Sequence, residues 1–168
     1  MAVLGIDLGI NIGWFLGDRV GPVLHGSIAL TGAPKHSKVM ESTCAAFHEI
    51  LSKGHITGIA VEQPFLGQSY YPARRLLGQL GMLYLLAPSY GVGDGMIEEI
   101  PIATGKLSLA GHGNADKDMM IAAAAKLGYL DLDEHAADAC GCWYTYQFGR
   151  VEAKKRKPKN SKVTVVKP

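Results

Sequence analysis

The sequence predicts an α/β layer fold: a mixed five-stranded sheet, its first three strands antiparallel, flanked by helices. Three short apolar runs crowd into residues 2–30, the pattern of an antiparallel meander. After them, segments with helical spacing alternate with further short apolar runs, as in sheets whose later strands are joined through covering helices. Two of those runs end abruptly in an acid, Asp7 and Glu62.

The first strand is read over residues 2–8 and the second around Ile12–Leu16, punctuated by Gly9, Gly13 and Gly17. Val23–Leu30 is the third. Ser37–Ser52 has helical spacing, with Val39, Ala46, Phe47, Ile50 and Leu51 on one side and Gly54 as its stop signal. Ile56–Glu62 is a buried strand followed at once by Pro64. Pro72–Leu86 is the second helix, since a proline is tolerated in a first turn, where its missing N–H costs nothing. Met96–Ile102 reads as the last strand. A helix over Ala115–Leu127 is expected to be capped by Asn114 and closed by Gly128. The final helix spans Asp133–Phe148, with Asp131 and Glu134 spaced for a capping-box-like start. The predicted order is βββ-α-β-α-β-α-α.

With 168 residues, the chain fits one domain able to bury roughly two-thirds of its unfolded surface. Its charge is uneven. The segment from Arg150 to Pro168 holds eight of the 17 Lys and Arg residues and one of the 15 Asp and Glu residues, leaving it +7 and the remainder −5. We expect a folded domain over 1–149 and a basic, disordered tail over 150–168, whose charge suits a polyanion or simply a solvated end. No apolar run is long enough to cross a bilayer, and the N-terminus has no basic region ahead of an apolar stretch. Cys44, Cys140 and Cys142 lack metal-ligand spacing, so reduced thiols and a cytoplasmic location are expected.

An unpaired buried charge costs several kcal/mol, so an acid closing an apolar strand needs a reason to be there. One such acid is unremarkable at a surface. Two, in Gly-Ile-Asp-Leu-Gly and Val-Glu-Gln-Pro, favour function, provided their strands are neighbours. His135 and Asp138, three apart, share one face of the last helix. The small residues around them, Ala136, Ala137, Ala139 and Gly141, would let that helix lie close to the sheet. Three carboxylates and an imidazole suit Mg²⁺ or Mn²⁺, and a pair of such ions would support phosphodiester cleavage. His135 suits either ligation or the handling of the attacking water. Asp131, Asp133 and Glu134 read as ordinary helix-start acids. Phe65, Tyr70 and Tyr71 follow the Glu62 strand in a loop, where they can stack on unpaired bases or pack into the core. Arg74, Arg75, Lys106 and Lys117 are candidate phosphate contacts, or surface cations. The glycine-rich stretch at 111–117 does not match a nucleotide-binding P-loop.

Five segments, Gly5-Ile-Asp-Leu-Gly9, Val61-Glu-Gln63, Leu77-Gly-Gln79, Asn114-Ala-Asp-Lys117 and His135-Ala-Ala-Asp-Ala139, resemble the motifs of the RuvC family of Holliday-junction resolvases, in order and at similar spacing. The resemblance runs from about residue 2 to residue 148. It implies a ribonuclease H-like fold, Mg²⁺ with Mn²⁺ as substitute, and a homodimer that cuts four-way junctions by paired symmetric nicks. By the same resemblance Asp7, Glu62 and Asp138 are the metal-binding acids, and His135 occupies a position that is aspartate or histidine in the family. Lys106 and Lys117 match DNA-contacting lysines, Phe65 an aromatic that opens the junction centre, and the Leu77 helix part of the dimer contact. Leu8 stands where the family usually has proline. The stretch between Glu62 and Leu77 is about a residue shorter than in cellular members, and the basic tail is long. These features are similar to phage-borne or divergent members. A broader nuclease for branched DNA or RNA–DNA hybrids, and a catalytically silent nucleic-acid-binding module, are the alternatives.

Overall fold

The computed structural model describes residues 2–31, 35–65, 67 and 70–149. Its strands are β1 (Ala2–Asp7), β2 (Asn11–Gly17), β3 (Val23–Ala29), β4 (Ile56–Glu62) and β5 (Ile97–Ile100), and its helices α1 (His36–Leu51), α2 (Tyr70–Leu86), α3 (Ile102–Ala110), α4 (Lys117–Lys126) and α5 (Glu134–Phe148). The strand order is β3-β2-β1-β4-β5. β1 to β3 form the expected antiparallel meander, and β1, β4 and β5 run parallel. The two strands that end in acids are therefore neighbours at the centre of the sheet.

Alternation along the strands splits the apolar residues between two faces. Leu4, Ile6, Ile12, Ile59 and Val61 pack on one side with Phe47, Ile50 and Leu51 of α1 and Leu83 of α2. Val3 and Phe15 face the other way, against Ala136, Ala139, Cys140 and Trp143 of α5. Trp143 is fully buried, packs at a tilt against Phe15 with ring centroids 4.9 Å apart, and donates its indole N–H to the Gly17 carbonyl at 2.9 Å. Truncating it to alanine would cost about 3–5 kcal/mol.

Several boundaries differ from the sequence reading, each for a local reason. The last strand stops at Ile100, because Pro101 (φ −58°, ψ 136°) turns the chain directly into α3, an unexpected helix. α4 begins two residues late, since Asp116 and not Asn114 caps it, accepting from Met119 N at 2.9 Å. Asp133 caps α5 by accepting from Ala136 N at 2.8 Å, while Asp131 sits outside the helix at φ +60°. α2 starts at Tyr70, so Tyr70 and Tyr71 belong to its first turn and not to a loop. The basic tail from residue 150 lies outside the described residues. Cys44, Cys140 and Cys142 are unpaired.

Candidate active site

β1 ends on Asp7 and β4 on Glu62, and the pairing of Ile6 with Val61 sets those ends side by side. Both acids point to the α5 face, in step with Gly5 and Ala60. The helix can come that close because the floor beneath it lacks side chains. A Cβ on Gly5 would overlap the Ala139 carbonyl and lie 2.9 Å from Trp143 Cβ. A Cβ on Gly13, the residue paired with Asp7, would overlap the His135 carbonyl. The start of α5 is also tied to β3, since Ser27 donates its hydroxyl to Asp133 at 2.6 Å.

On this seating His135 Nδ1 lies 3.3 Å from Asp7 Oδ2. Its Nε2 is 3.0 Å from the Asn11 amide nitrogen and 3.3 Å from Glu134 Oε1. With the Asn11 amide donating to Nε2, the ring proton sits on Nδ1 and points at Asp7. Glu134 also forms an ion pair with Lys117. Glu134 therefore links a cation to the imidazole, beyond the helix-start role read from the sequence.

The acids resist one another's ionisation. Burial, then the charges of Asp7 and Asp138, push the Glu62 carboxyl up to about 8, with Lys106 opposing. Burial and Asp7 raise Asp138 to about 6, against Lys106, His135 and Lys117. Burial likewise raises Asp7, although His135 offsets part of it. The His135 ring is raised by its hydrogen bond to Asp7. Three crowded carboxylates of this kind are the donor chemistry a hard divalent cation neutralises. The residues fit such an ion as oxygen donors. Among the described residues, however, no three His, Cys, Asp or Glu side chains stand as a ready cage.

Lys106, on the unexpected helix α3, donates to the Ala115 carbonyl at 2.8 Å and acts on both Glu62 and Asp138. Lys117 is exposed at the start of α4. Phe65 is 55% exposed in the turn after β4. Arg74 is exposed and Arg75 half-buried in α2; neither is among the groups that act on the acids within the described residues. A cleft of about 500 Å³ opens beside the acids, with Pro64, Phe65, Pro101, Ala103 and Lys106 in its walls.

Sequence reasoning missed Asn11, which lies one residue before the strand read around Ile12–Leu16; only the strand register carries it to His135. It also left Gln79 without a role. Buried in α2, Gln79 donates to the Gly9 carbonyl at 2.8 Å and so anchors the turn that follows Asp7.

No protein-family model matches the chain, and no curated protein matches it in sequence. Solved structures do. The chain is similar to Thermus thermophilus RuvC, with 24% identity over 86% of this chain and 92% of that one, at a TM-score of 0.69. It is similar to T. thermophilus RuvC in complex with Holliday junction substrate, with 24% identity, 88% and 93% coverage and a TM-score of 0.73. It is also similar to the yeast mitochondrial Holliday junction resolvase Ydc2, with 17% identity, 86% and 79% coverage and a TM-score of 0.61. The mixed sheet, its strand order and the helices on both faces are thus those of RuvC, and the chain has the ribonuclease H-like fold.

Proposed function

We propose that this chain is a RuvC-type, divalent-metal-dependent endonuclease that resolves four-way DNA junctions by paired symmetric nicks. The observation that carries the reading is that Asp7 and Glu62 close two neighbouring parallel strands, with His135 hydrogen-bonded to Asp7 and Asp138 bearing electrostatically on Glu62, over a glycine floor. The fold supports it, since one protein of this fold is seen in complex with Holliday junction substrate.

Asp7, Glu62 and Asp138 would hold Mg²⁺, or Mn²⁺ in its place, with room in the chemistry for two ions. When bound there, the metal supplies Lewis-acid stabilisation and a nucleophile for phosphodiester hydrolysis. The protein's own part is to bring the acids together and orient them. His135 fixes one Asp7 oxygen by its Nδ1 proton, leaving the other free for ligation. Lys106 and Lys117 offset phosphate charge at the rim, and Arg74 and Arg75 are further candidate contacts. A homodimer would present two such sites to one junction. The exposed apolar side chains of α2, Tyr71 at 77% and Leu85 at 76% exposure among them, support pairing through that helix. No helix among the described residues is long and apolar enough to cross a membrane.

A binding module without catalysis is the second reading, favoured by the lack of a ready ligand cage among the described residues. Calorimetric titration with Mg²⁺ separates them: binding that disappears in Glu62→Gln supports the enzyme, and no binding supports the module. Incubation of labelled junction, flap and plain duplex DNA with Mg²⁺ or Mn²⁺ tests specificity. Paired nicks in the junction alone support a strict resolvase. Cutting of several branched substrates or of RNA–DNA hybrids would replace it with a broader nuclease.

A further inference from the structure

We propose that Gln79 is a positioning residue for the acids, present for the geometry of the site although an apolar side chain would suit the fold better. This rests on the reading of Asp7 and its neighbours as a metal-dependent centre. Gln79 is fully buried on α2, where its neighbours Leu76, Leu80 and Leu83 pack into the apolar core. Its amide N–H leaves that core and donates to the Gly9 carbonyl at 2.8 Å. The same nitrogen lies 3.4 Å from Thr43 Oγ1, whose own proton goes to the Val39 carbonyl at 2.8 Å. The orientation of the amide is thereby set, since a flipped amide would place oxygen against oxygen at Gly9. Its oxygen is left buried, with no hydrogen-bond partner among the described residues. A buried polar atom in that state is destabilising, whereas an apolar group of the same shape is not. Positions that break a rule of the fold in this way are expected at functional sites.

The acceptor explains the bond. Gly9 lies in the turn that leads from Asp7, at the end of β1, to Asn11, at the start of β2. One end of the turn carries the carboxylate; the other carries the amide that holds His135 Nε2 at 3.0 Å. The next carbonyl, of Ile10, accepts from the Leu30 N–H at 2.7 Å. The turn is thus pinned at Ile10 from the end of β3 and at Gly9 from α2. Releasing Gly9 lets Asp7 and Asn11 shift together while the strands stay paired. Gln79 is buried away from any DNA surface, so its loss acts on the metal-binding geometry and the chemical step and not on DNA affinity.

Gln79→Met, close in shape and without a donor, separates the site from the fold, and Gln79→Leu repeats the test. Full-length wild type and variants are compared by thermal melt in EDTA, by calorimetric titration with Mg²⁺, and by junction cleavage at saturating Mg²⁺. We expect a melting temperature equal to or above that of the wild type, and Mg²⁺ binding weakened by about 10-fold or more. The kcat should fall by a similar factor with KM for the junction unchanged. Mg²⁺ affinity and kcat at wild-type values in the folded variants would overturn the proposal. A melting temperature lowered in both variants would overturn it too, because Gln79 would then be holding the fold. Mg²⁺ binding that weakens as expected in a protein that cuts no DNA would uphold Gln79 and overturn the nuclease reading instead.

Discussion

The His135 carbonyl lies over Gly13, the residue that pairs with Asp7 across β1 and β2, with no room for a side chain between them. His135 and Asp7 meet because of that missing Cβ. Gly5 does the same under Ala139, one turn further along α5.

Gly13→Ala should therefore lift the start of α5 off the sheet. Overpacking of this kind costs about 1–3 kcal/mol. The catalytic loss should be larger, on the order of 100-fold, because an ångström of misplacement at a reacting centre has that effect. Thermal melts together with junction cleavage by the folded fraction check this. Wild-type cleavage in Gly13→Ala would mean the seating of α5 is not what assembles the site.

The crowded acids give the metal-free protein a pH signature. Glu62 and Asp138 are pushed up to about 8 and about 6 in the folded state, whereas free carboxyls titrate near 4. The folded form thus keeps protons that the unfolded chain releases. Their contribution to stability is fully present below about pH 4 and is lost as pH rises through about 6 and then about 8. In EDTA the melting temperature should fall across that window. It should fall less in Asp7→Asn, where one repelling charge is gone, and less again with Mg²⁺ added. Equal slopes in wild type and Asp7→Asn would show that the carboxylates do not feel each other.

Asn11 holds the far nitrogen of the His135 ring at 3.0 Å. Asn11→Ala should weaken Mg²⁺ binding and cleavage by about 10–100-fold, as is usual when the partner of a site histidine is removed. Calorimetry and initial rates measure the two separately. If both stay at wild-type values, the ring needs no such support.

Removing residues 151–168 should weaken DNA binding and flatten its dependence on salt, by a slope of about 0.9 for every phosphate the tail had neutralised. Affinity measured at several salt concentrations for the full and shortened chains gives that slope. An unchanged slope would mean that the basic tail does not touch DNA.

Much of this site is legible in the sequence, because its chemistry is written into elements with strong patterns. An acid closing a buried strand stands out, and twice over it points to a shared location; His135 and Asp138 announce a common face by their spacing. Gly13 is ambiguous, since a glycine beneath a helix and a glycine at a turn look alike until the packing is known. Asn11 is invisible, as its partner is 124 residues away and only the register of β2 brings them together. α3 is hidden by Pro101, which ends a strand and begins a helix at a single residue, and whose follower Ile102 reads as more strand. Asn114 and Asp116 are both competent caps, and the bonding to Met119 alone decides between them.

The central claim is that Asp7 and its neighbours form a metal-dependent nuclease centre. It is tested most directly by cleavage of a labelled four-way junction with Mg²⁺ by wild type and by Asp7→Asn, with junction binding measured in parallel. Loss of a carboxylate ligand should abolish cutting while reducing the negative charge near the phosphates, so binding persists. The account predicts paired symmetric nicks from the wild type, none in EDTA, and none from an Asp7→Asn protein that still binds the junction. Full cleavage by Asp7→Asn would contradict it.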